Sequence, residues 1–258
     1  MASLPSVFIS HGSPMHALDP GAAGEAWRSL GRRLPKPRAV VIASAHWETN
    51  LPMLTGAAKP QTIHDFSGFP EPLYRLRYPA LGAPEVAQRA QSLLKAQGLT
   101  AAIDGCRGLD HGAWAPLLYV YPDANVPVVQ ISVQPALGTR HHLGVGRALR
   151  PLADEEVLLV GSGHMTHNLR DWARGAGKAE PYAREFRDWV KEKMEKGDLE
   201  ALADYRSLAP HAARAHPTEE HFLPLFFALG ASANQAKPER IYDGIESGVL
   251  AMDSYLFH

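Results

Sequence analysis

The sequence predicts one α/β domain over residues 1–258, with a central, mostly parallel or mixed sheet and helices on both of its faces. Short, nearly continuous apolar runs alternate with longer segments of helical periodicity, which is typical of a sheet covered on both sides. The 258 residues are enough for one sizeable core. Neither a repeat nor a linker-like stretch divides the chain, so we expect a single domain.

Five apolar runs, rich in β-branched residues, predict strands of this sheet. They cover residues 6–10, 39–45, 126–133, 157–161 and 249–257. Runs of this length without polar alternation are typical of strands that are buried on both faces. We therefore expect these strands at the centre of the domain.

Helical periodicity predicts five helices between these strands. They cover residues 22–33, 84–97, 142–153, 181–195 and 218–229. Pro84 stands where a first-turn proline is tolerated, and Gly98 and Gly230 stand where helices end. Residues 59–83 are rich in proline and show neither period, so we expect a long loop that serves as a lid or binding loop.

Charge and cysteine content exclude several classes of protein. The chain carries 26 Lys and Arg against 27 Asp and Glu, a formal net charge of −1. It has no polybasic run, so we expect neither a nucleic-acid partner nor membrane association. Cys106 is the only cysteine, and the first residues lack the features of a secretory signal, so a reducing, cytoplasmic location is expected.

The chain has 13 histidines, and several stand where predicted strands end. His11 and His46 follow the first two strands, and His164 and His167 follow the strand at 157–161. Ligand sites in open α/β sheets lie at the carboxyl ends of strands. A lone histidine in such a place usually caps a helix or binds a loop carbonyl, but three repeats favour a shared site.

A fourth cluster, from His216 to His221, begins the predicted helix at 218–229 and can face the others. Imidazoles with at most one carboxylate suit iron, zinc or copper. A structural zinc site is not supported, because it usually needs at least two cysteines. We expect His16 and His258 at the surface, and we expect His141 and His142 to form a solvated cap.

Six motifs follow one another along nearly the whole chain: FISHGSP at 8–14, SAHWE at 44–48, IHDFSGFP at 63–70, LDHGAW at 109–114, SGHMTHNLR at 162–170 and PTEEHFLPL at 217–225. Together they resemble the class III extradiol ring-cleavage dioxygenases, in the DOPA 4,5-dioxygenase-like branch. The resemblance implies a metal-dependent enzyme whose substrates are a catechol and O₂. It also implies that the ring is cut beside the two hydroxyls rather than between them.

The resemblance also implies roles for individual residues. His11 and His46 correspond to metal ligands, and His167 and His111 to acid/base or substrate-contacting histidines. The third ligand is a glutamate in the wider class and a histidine in this branch. We expect His221, with Glu220 as the alternative. On the predicted helix His221 shares a face with buried Leu225, whereas Glu220 turns to the polar side.

Fe²⁺ is the expected working metal, and Zn²⁺ is an alternative in purified protein because its affinity for such sites is high. We expect three side chains to bind the aromatic substrate: His64, Trp47 and Phe69. Two other functions fit the same cluster: a zinc-dependent hydrolase and a non-enzymatic interaction protein on this fold. The identity of the catechol and the oligomeric state do not follow from these motifs.

Overall fold

The computed structural model describes residues 3–174, 180–233 and 236–258. Ten strands are assigned within these residues: β1 Ser6–Ser10, β2 Ala39–Glu48, β3 Met53–Thr55, β4 Ala102–Asp104, β5 Val128–Val133, β6 Val157–Gly163, β7 Pro238–Tyr242, β8 Ile245–Glu246, β9 Leu250–Ala251 and β10 Ser254–Phe257. Eight of them form one sheet in the order β4-β3-β5-β2-β6-β1-β10-β7. Strands β8 and β9 pair separately.

Twelve α-helices are assigned in the same residues: α1 Gly21–Arg33, α2 Glu71–Arg75, α3 Pro84–Ala96, α4 His111–Val120, α5 Gly138–Leu149, α6 Pro151–Asp154, α7 Leu169–Ala173, α8 Pro181–Glu195, α9 Leu199–Ala203, α10 Tyr205–Leu208, α11 Ala212–Ala215 and α12 Leu223–Ala231. Two short 3₁₀ turns, Pro14–Ala17 and Pro135–Leu137, complete the assignment. None of the helices in the described ranges is long and apolar enough to cross a membrane.

The sheet is mixed around a parallel centre. Strands β5, β2, β6 and β1 run parallel to their neighbours. Strands β3 and β10 join this group antiparallel, and β7 pairs antiparallel with β10. The predicted α/β class with a mostly parallel or mixed sheet is therefore confirmed.

Alternate residues of the central strands pack into cores on opposite faces of the sheet. Val40 and Ile42 lie with Trp27 of α1 on one face. Val41 lies with Phe227 of α12 on the other face. Successive side chains of a strand point to opposite faces, so an unbroken apolar run is what a doubly covered strand requires.

Several predicted bounds need correction. The helix predicted at 142–153 is two helices, α5 and α6, with Arg150 between them. The strand predicted at 249–257 is interrupted at Met252 and Asp253, and the loop predicted at 59–83 contains the short α2. Helix α4 was not predicted, because it is apolar on all sides and contains Pro116, so it shows no amphipathic period.

The helix predicted at 218–229 begins only at Leu223. His221 therefore lies in the turn before α12, and the helical-wheel argument for its direction was wrong. Pro224 falls in the first turn of α12, where its missing N–H would have no helical partner anyway.

Candidate metal centre

Three neighbouring parallel strands bring the histidines to one edge of the sheet. Strands β2, β6 and β1 are adjacent in that order. His46 lies near the end of β2, His11 directly follows β1, and His164 directly follows β6. His11 and His164 are almost fully buried, and His46 is partly buried. The carboxyl ends of these strands thus form the floor of the site, as the strand-end pattern predicted.

The Nε2 atoms of three histidines converge above this floor. His11 Nε2 lies 3.1 Å from His46 Nε2, and His221 Nε2 lies 3.3 Å from the same atom. All three atoms lie within 4.8 Å of one another. Two nitrogens that bind one metal at about 2.1 Å stand about 3.0–3.4 Å apart for bond angles of about 90–110°. The spacing of these atoms therefore fits a shared metal ion.

The tautomer of His11 follows from its hydrogen bonds. The Ser162 hydroxyl donates to the carbonyl oxygen of Gly112, so it must accept from His11 Nδ1–H, 3.0 Å away. With its proton on Nδ1, His11 presents a lone pair at Nε2.

Carboxylates favour the same tautomer in the other two histidines. His221 Nδ1 donates to Glu220 Oε1 at 2.8 Å, and His46 Nδ1 lies 3.4 Å from Asp65 Oδ2. Because a carboxylate accepts only, the hydrogen bond to Glu220 keeps the His221 proton on Nδ1, and the nearby Asp65 carboxylate favours the same tautomer in His46. Three lone pairs then face one another, an arrangement that a cation between them stabilises.

Burial keeps these imidazoles neutral. It lowers the pKa of His11 and of His221 well below the ordinary value, and it lowers the pKa of His46 to about 3. Repulsion between neighbouring histidines acts in the same direction. Because a metal binds the neutral imidazole, the cluster needs no deprotonation near neutral pH.

In the part of the chain that the structure describes, two other groups contain potential metal ligands: His46, Asp65 and His111, and His167, Glu220 and His221. In each of them the carboxylate already accepts a hydrogen bond from a ring Nδ1–H. These polar atoms are therefore satisfied without an ion. Among the described residues, the Nε2 atoms of His11, His46 and His221 lie within hydrogen-bond distance of one another alone.

Two further histidines lie against this triad. The His111 ring centroid is 3.9 Å from that of His46, and His111 Nδ1 donates to Asp65 Oδ2 at 2.9 Å. His167 stacks on His221, with ring centroids 3.5 Å apart and an angle of 14° between the planes. Burial lowers the pKa of His167 to about 4, so this imidazole is neutral near pH 7.

An aromatic wall stands beside His111. Phe66 contacts the rings of His111 and His64, with centroids 5.6 Å apart in each pair, and it contacts Phe69 at 5.4 Å. His64 Nε2 also donates a hydrogen bond to the carbonyl oxygen of Leu76. The ring of Trp47 lies instead under the Arg107 guanidinium, 4.4 Å away.

Three residues of the site had no predicted role: Asp65, Ser162 and His164. All three stand inside the quoted motifs, but only hydrogen-bond geometry reveals what they contact. The His164 ring approaches those of His11, His167 and His221, and its Nδ1 has no partner within the described residues.

Two expectations about other histidines were wrong. His16 is buried rather than at the surface, and its Nε2 pairs with Glu246 Oε1 at 2.8 Å. His142 is buried rather than solvated, and both of its ring nitrogens are hydrogen-bonded. His258 is exposed, as expected.

Comparison with known families gives a match over almost the entire chain. Residues 5–257 match the family described as the catalytic LigB subunit of aromatic ring-opening dioxygenase. The chain is 42 % identical to the 4,5-DOPA dioxygenase extradiol of Beta vulgaris, over 97 % of this chain and 95 % of the relative. It is 40 % identical to the Escherichia coli K12 protein of the same name, over 96 % and 93 %.

A solved structure has the same fold. The crystal structure of an uncharacterized protein from Escherichia coli K12 superimposes with a TM-score of 0.85. The two chains are 34 % identical, and the match covers 99 % of this chain and 100 % of the other. Sequence and structure comparisons therefore agree over the whole domain.

Proposed function

The chain belongs to the LigB family of aromatic ring-opening dioxygenases, and we propose that His11, His46 and His221 hold the divalent metal on which its activity depends. It is an extradiol ring-cleaving dioxygenase. The convergence of three lone-pair Nε2 atoms at 3.1 and 3.3 Å is the observation that carries the proposed ligand set. In this proposal Glu220 is not a ligand, because it accepts from His221 Nδ1.

We propose Fe²⁺ as the working metal. Ferrous iron in a three-histidine site lets a catecholate and O₂ exchange electrons, whereas Zn²⁺ has no accessible redox change. The donor set of neutral imidazoles also accepts zinc, so purified protein can carry it. The neutral ligands leave the full charge of the metal to attract the two catechol oxygens.

His111 is the proposed acceptor of one catechol proton. Its Nδ1–H is held by Asp65, which leaves Nε2 as the free basic atom. The His111 ring lies against His46, with ring centroids 3.9 Å apart, so His111 stands beside the proposed ligands. A neutral histidine within hydrogen-bond reach of a hydroxyl is suited to general-base work.

His167 is the proposed residue that returns a proton during ring opening. Burial keeps its pKa at about 4, so it starts neutral and can take a proton before giving it back. Its Nδ1 lies 4.0 Å from Glu220 Oε1, too far for a hydrogen bond. The His167 ring thus contacts the triad by stacking on His221 and not by a bond to this carboxylate.

The proposed substrate is a catechol related to DOPA, the compound named in the relatives. His64 and Phe69, together with Phe66, would form the apolar wall against the aromatic ring and exclude water from it. Trp47 remains a proposed substrate contact, and its ring lies under the Arg107 guanidinium. The single cysteine, Cys106, supports a reducing cytoplasmic location for the enzyme.

A panel of catechols tests this function. The protein is loaded anaerobically with Fe²⁺ and mixed with DOPA, a catechol lacking the amino-acid group and a phenol with one hydroxyl. We expect O₂ uptake matched by a yellow ring-opened product for catechols alone. Zinc-loaded protein and His46→Ala are the controls. Equal turnover with zinc, or no turnover with any catechol, would contradict the proposal.

The two other functions that the cluster of histidines allows, a zinc-dependent hydrolase and a non-enzymatic interaction protein, are not favoured by the comparisons.

A further inference from the structure

We infer that Asp65 is a positioning residue that fixes the orientation and the tautomer of the His46 and His111 rings. The inference rests on the proposed roles of these two histidines. Asp65 lies in the long segment between β3 and α2, outside the strands that carry the proposed ligands. Its carboxylate nevertheless reaches both rings, and these rings lie only 3.9 Å apart.

Two N–H groups of His111 donate to the two oxygens of Asp65, and the ring of His46 lies close to one of these oxygens. Oδ1 accepts from the backbone N–H of His111 at 2.8 Å. Oδ2 accepts from His111 Nδ1 at 2.9 Å and lies 3.4 Å from His46 Nδ1. One carboxylate therefore orients the backbone and the ring of His111, and it faces the neighbouring His46 ring on β2.

The loop holds Asp65 in place from its other side. Ile63 N–H donates to the Leu109 carbonyl at 2.8 Å, and Trp114 Nε1–H donates to the Ile63 carbonyl at 2.8 Å. Thr62 forms a bridge with Leu109, which fixes the same stretch to the segment before α4. Because these bonds involve neither ring, the carboxylate is positioned independently of any substrate.

The chemical consequence is a pair of fixed tautomers. With both Nδ1–H groups facing Asp65, the Nε2 atoms of His46 and His111 keep their lone pairs. One lone pair faces the proposed metal and the other faces the proposed catechol proton. Asp65 thereby couples the binding of the metal to the geometry of proton transfer.

A carboxylate is required here, and an amide will not replace it. In Asp65→Asn a single oxygen must serve both the backbone N–H and the ring N–H groups, and the remaining NH₂ would face ring protons. We expect His111 to respond by moving its proton to Nε2, which removes the free base. Asp104→Asn is the matched control, because one Asp104 oxygen alone accepts from Cys106 N and Arg107 N.

The experiment compares Asp65→Asn, Asp65→Glu and Asp104→Asn. Ring ¹⁵N resonances of the zinc-loaded protein report each histidine tautomer, and the His111→Ala spectrum assigns His111. We expect the His111 Nδ1–H signal to be lost in Asp65→Asn and retained in the control. With Fe²⁺, kcat for the best catechol should fall roughly 10- to 100-fold while KM changes little, and Asp65→Glu should recover part of the loss.

A double variant separates positioning from stability. Because part of the effect of Asp65 runs through His111, Asp65→Asn should lower kcat by a smaller factor in the His111→Ala background than in the wild type. An unchanged His111 tautomer, an undiminished loss of kcat in the His111→Ala background, or equal loss in the Asn and Glu variants would each overturn the inference. The tautomer measurement needs no turnover, so it still tests Asp65 if no catechol is cleaved.

Discussion

At each proposed metal ligand, the hydrogen-bond partner of one ring nitrogen decides whether the other nitrogen keeps a lone pair for a metal. His11 donates to the Ser162 hydroxyl, His221 donates to Glu220, and His46 faces Asp65. Such partners orient the ring and raise its basicity as a ligand. The identity of the third ligand therefore depends on whether Glu220 acts on the metal directly or through His221.

The first prediction concerns this third ligand. Metal affinity should fall sharply in His221→Ala, because a site with three protein ligands loses one of them. It should stay within roughly 10-fold of the wild type in Glu220→Gln, because the amide oxygen can still accept from His221 Nδ1. Competitive titration of Zn²⁺ against a chromophoric chelator measures both. The reverse order of affinities would make Glu220 the ligand.

The second prediction separates His167 from the ligands. His167→Ala removes a ring that stacks on His221 but does not contribute an Nε2 atom to the triad. We expect full metal content by elemental analysis and a roughly 10²- to 10⁴-fold lower kcat. Loss of the metal from this variant would place His167 among the ligands instead.

At the scale of elements, helices α5 and α12 cross closely through two glycines. A Cβ on Gly146 of α5 would lie 2.2 Å from the Phe227 carbonyl oxygen, and a Cβ on Gly230 of α12 would lie 2.2 Å from that of Leu143. Both contacts are to backbone, which a rotamer change cannot relieve. The two glycines thus allow the helices to approach more closely than any larger residue would permit.

The third prediction tests this crossing. Gly146→Ala should lower the free energy of unfolding by about 1–3 kcal/mol, because the helices must move apart. Gly144→Ala on the same helix is the matched control, since nothing lies within 4 Å of its added Cβ. The control should be stabilised by about 0.5–1 kcal/mol through helix propensity. Urea unfolding measures both, and equal stabilities would contradict the proposed close packing.

At the scale of the whole molecule, buried neutral histidines are found well beyond the candidate metal centre. Burial lowers the pKa of His142 to about 4, and the pKa of His216 to about 3. In the unfolded chain both would titrate near their ordinary value. Between these values the unfolded state binds more protons than the folded state, so the fold loses stability as the pH falls.

The fourth prediction uses His142, which is remote from the proposed ligands in sequence. His142 Nδ1 donates to the Gly138 carbonyl and Nε2 accepts from Gln134 N–H, so protonation would destroy the second bond. With a folded pKa of about 4, its contribution falls by about 2 kcal/mol between about pH 7.5 and pH 5. Over the same pH range, the free energy of unfolding measured in urea should fall by about 2 kcal/mol less in His142→Leu than in the wild type. Parallel curves for wild type and variant would contradict the prediction.

The sequence alone determined the central strands and the residue types of the site. Buried parallel strands must be apolar on both faces, so β1, β2 and β6 stand out as continuous runs. Ligand sites lie at the carboxyl ends of such strands, so His11 and His46 could be singled out without a structure. The six motifs pointed to the family that the comparisons then showed.

Only the tertiary structure decided which atoms meet. The Ser162 hydroxyl that sets the tautomer of His11 is 151 residues away along the chain, and Asp65 is 46 residues from His111. No local period records such pairs, because hydrogen-bond partners are set by the strand order and by the path of the loop across the sheet. The same reason explains the direction of His221, which depends on a turn held by packing and not on a helical face.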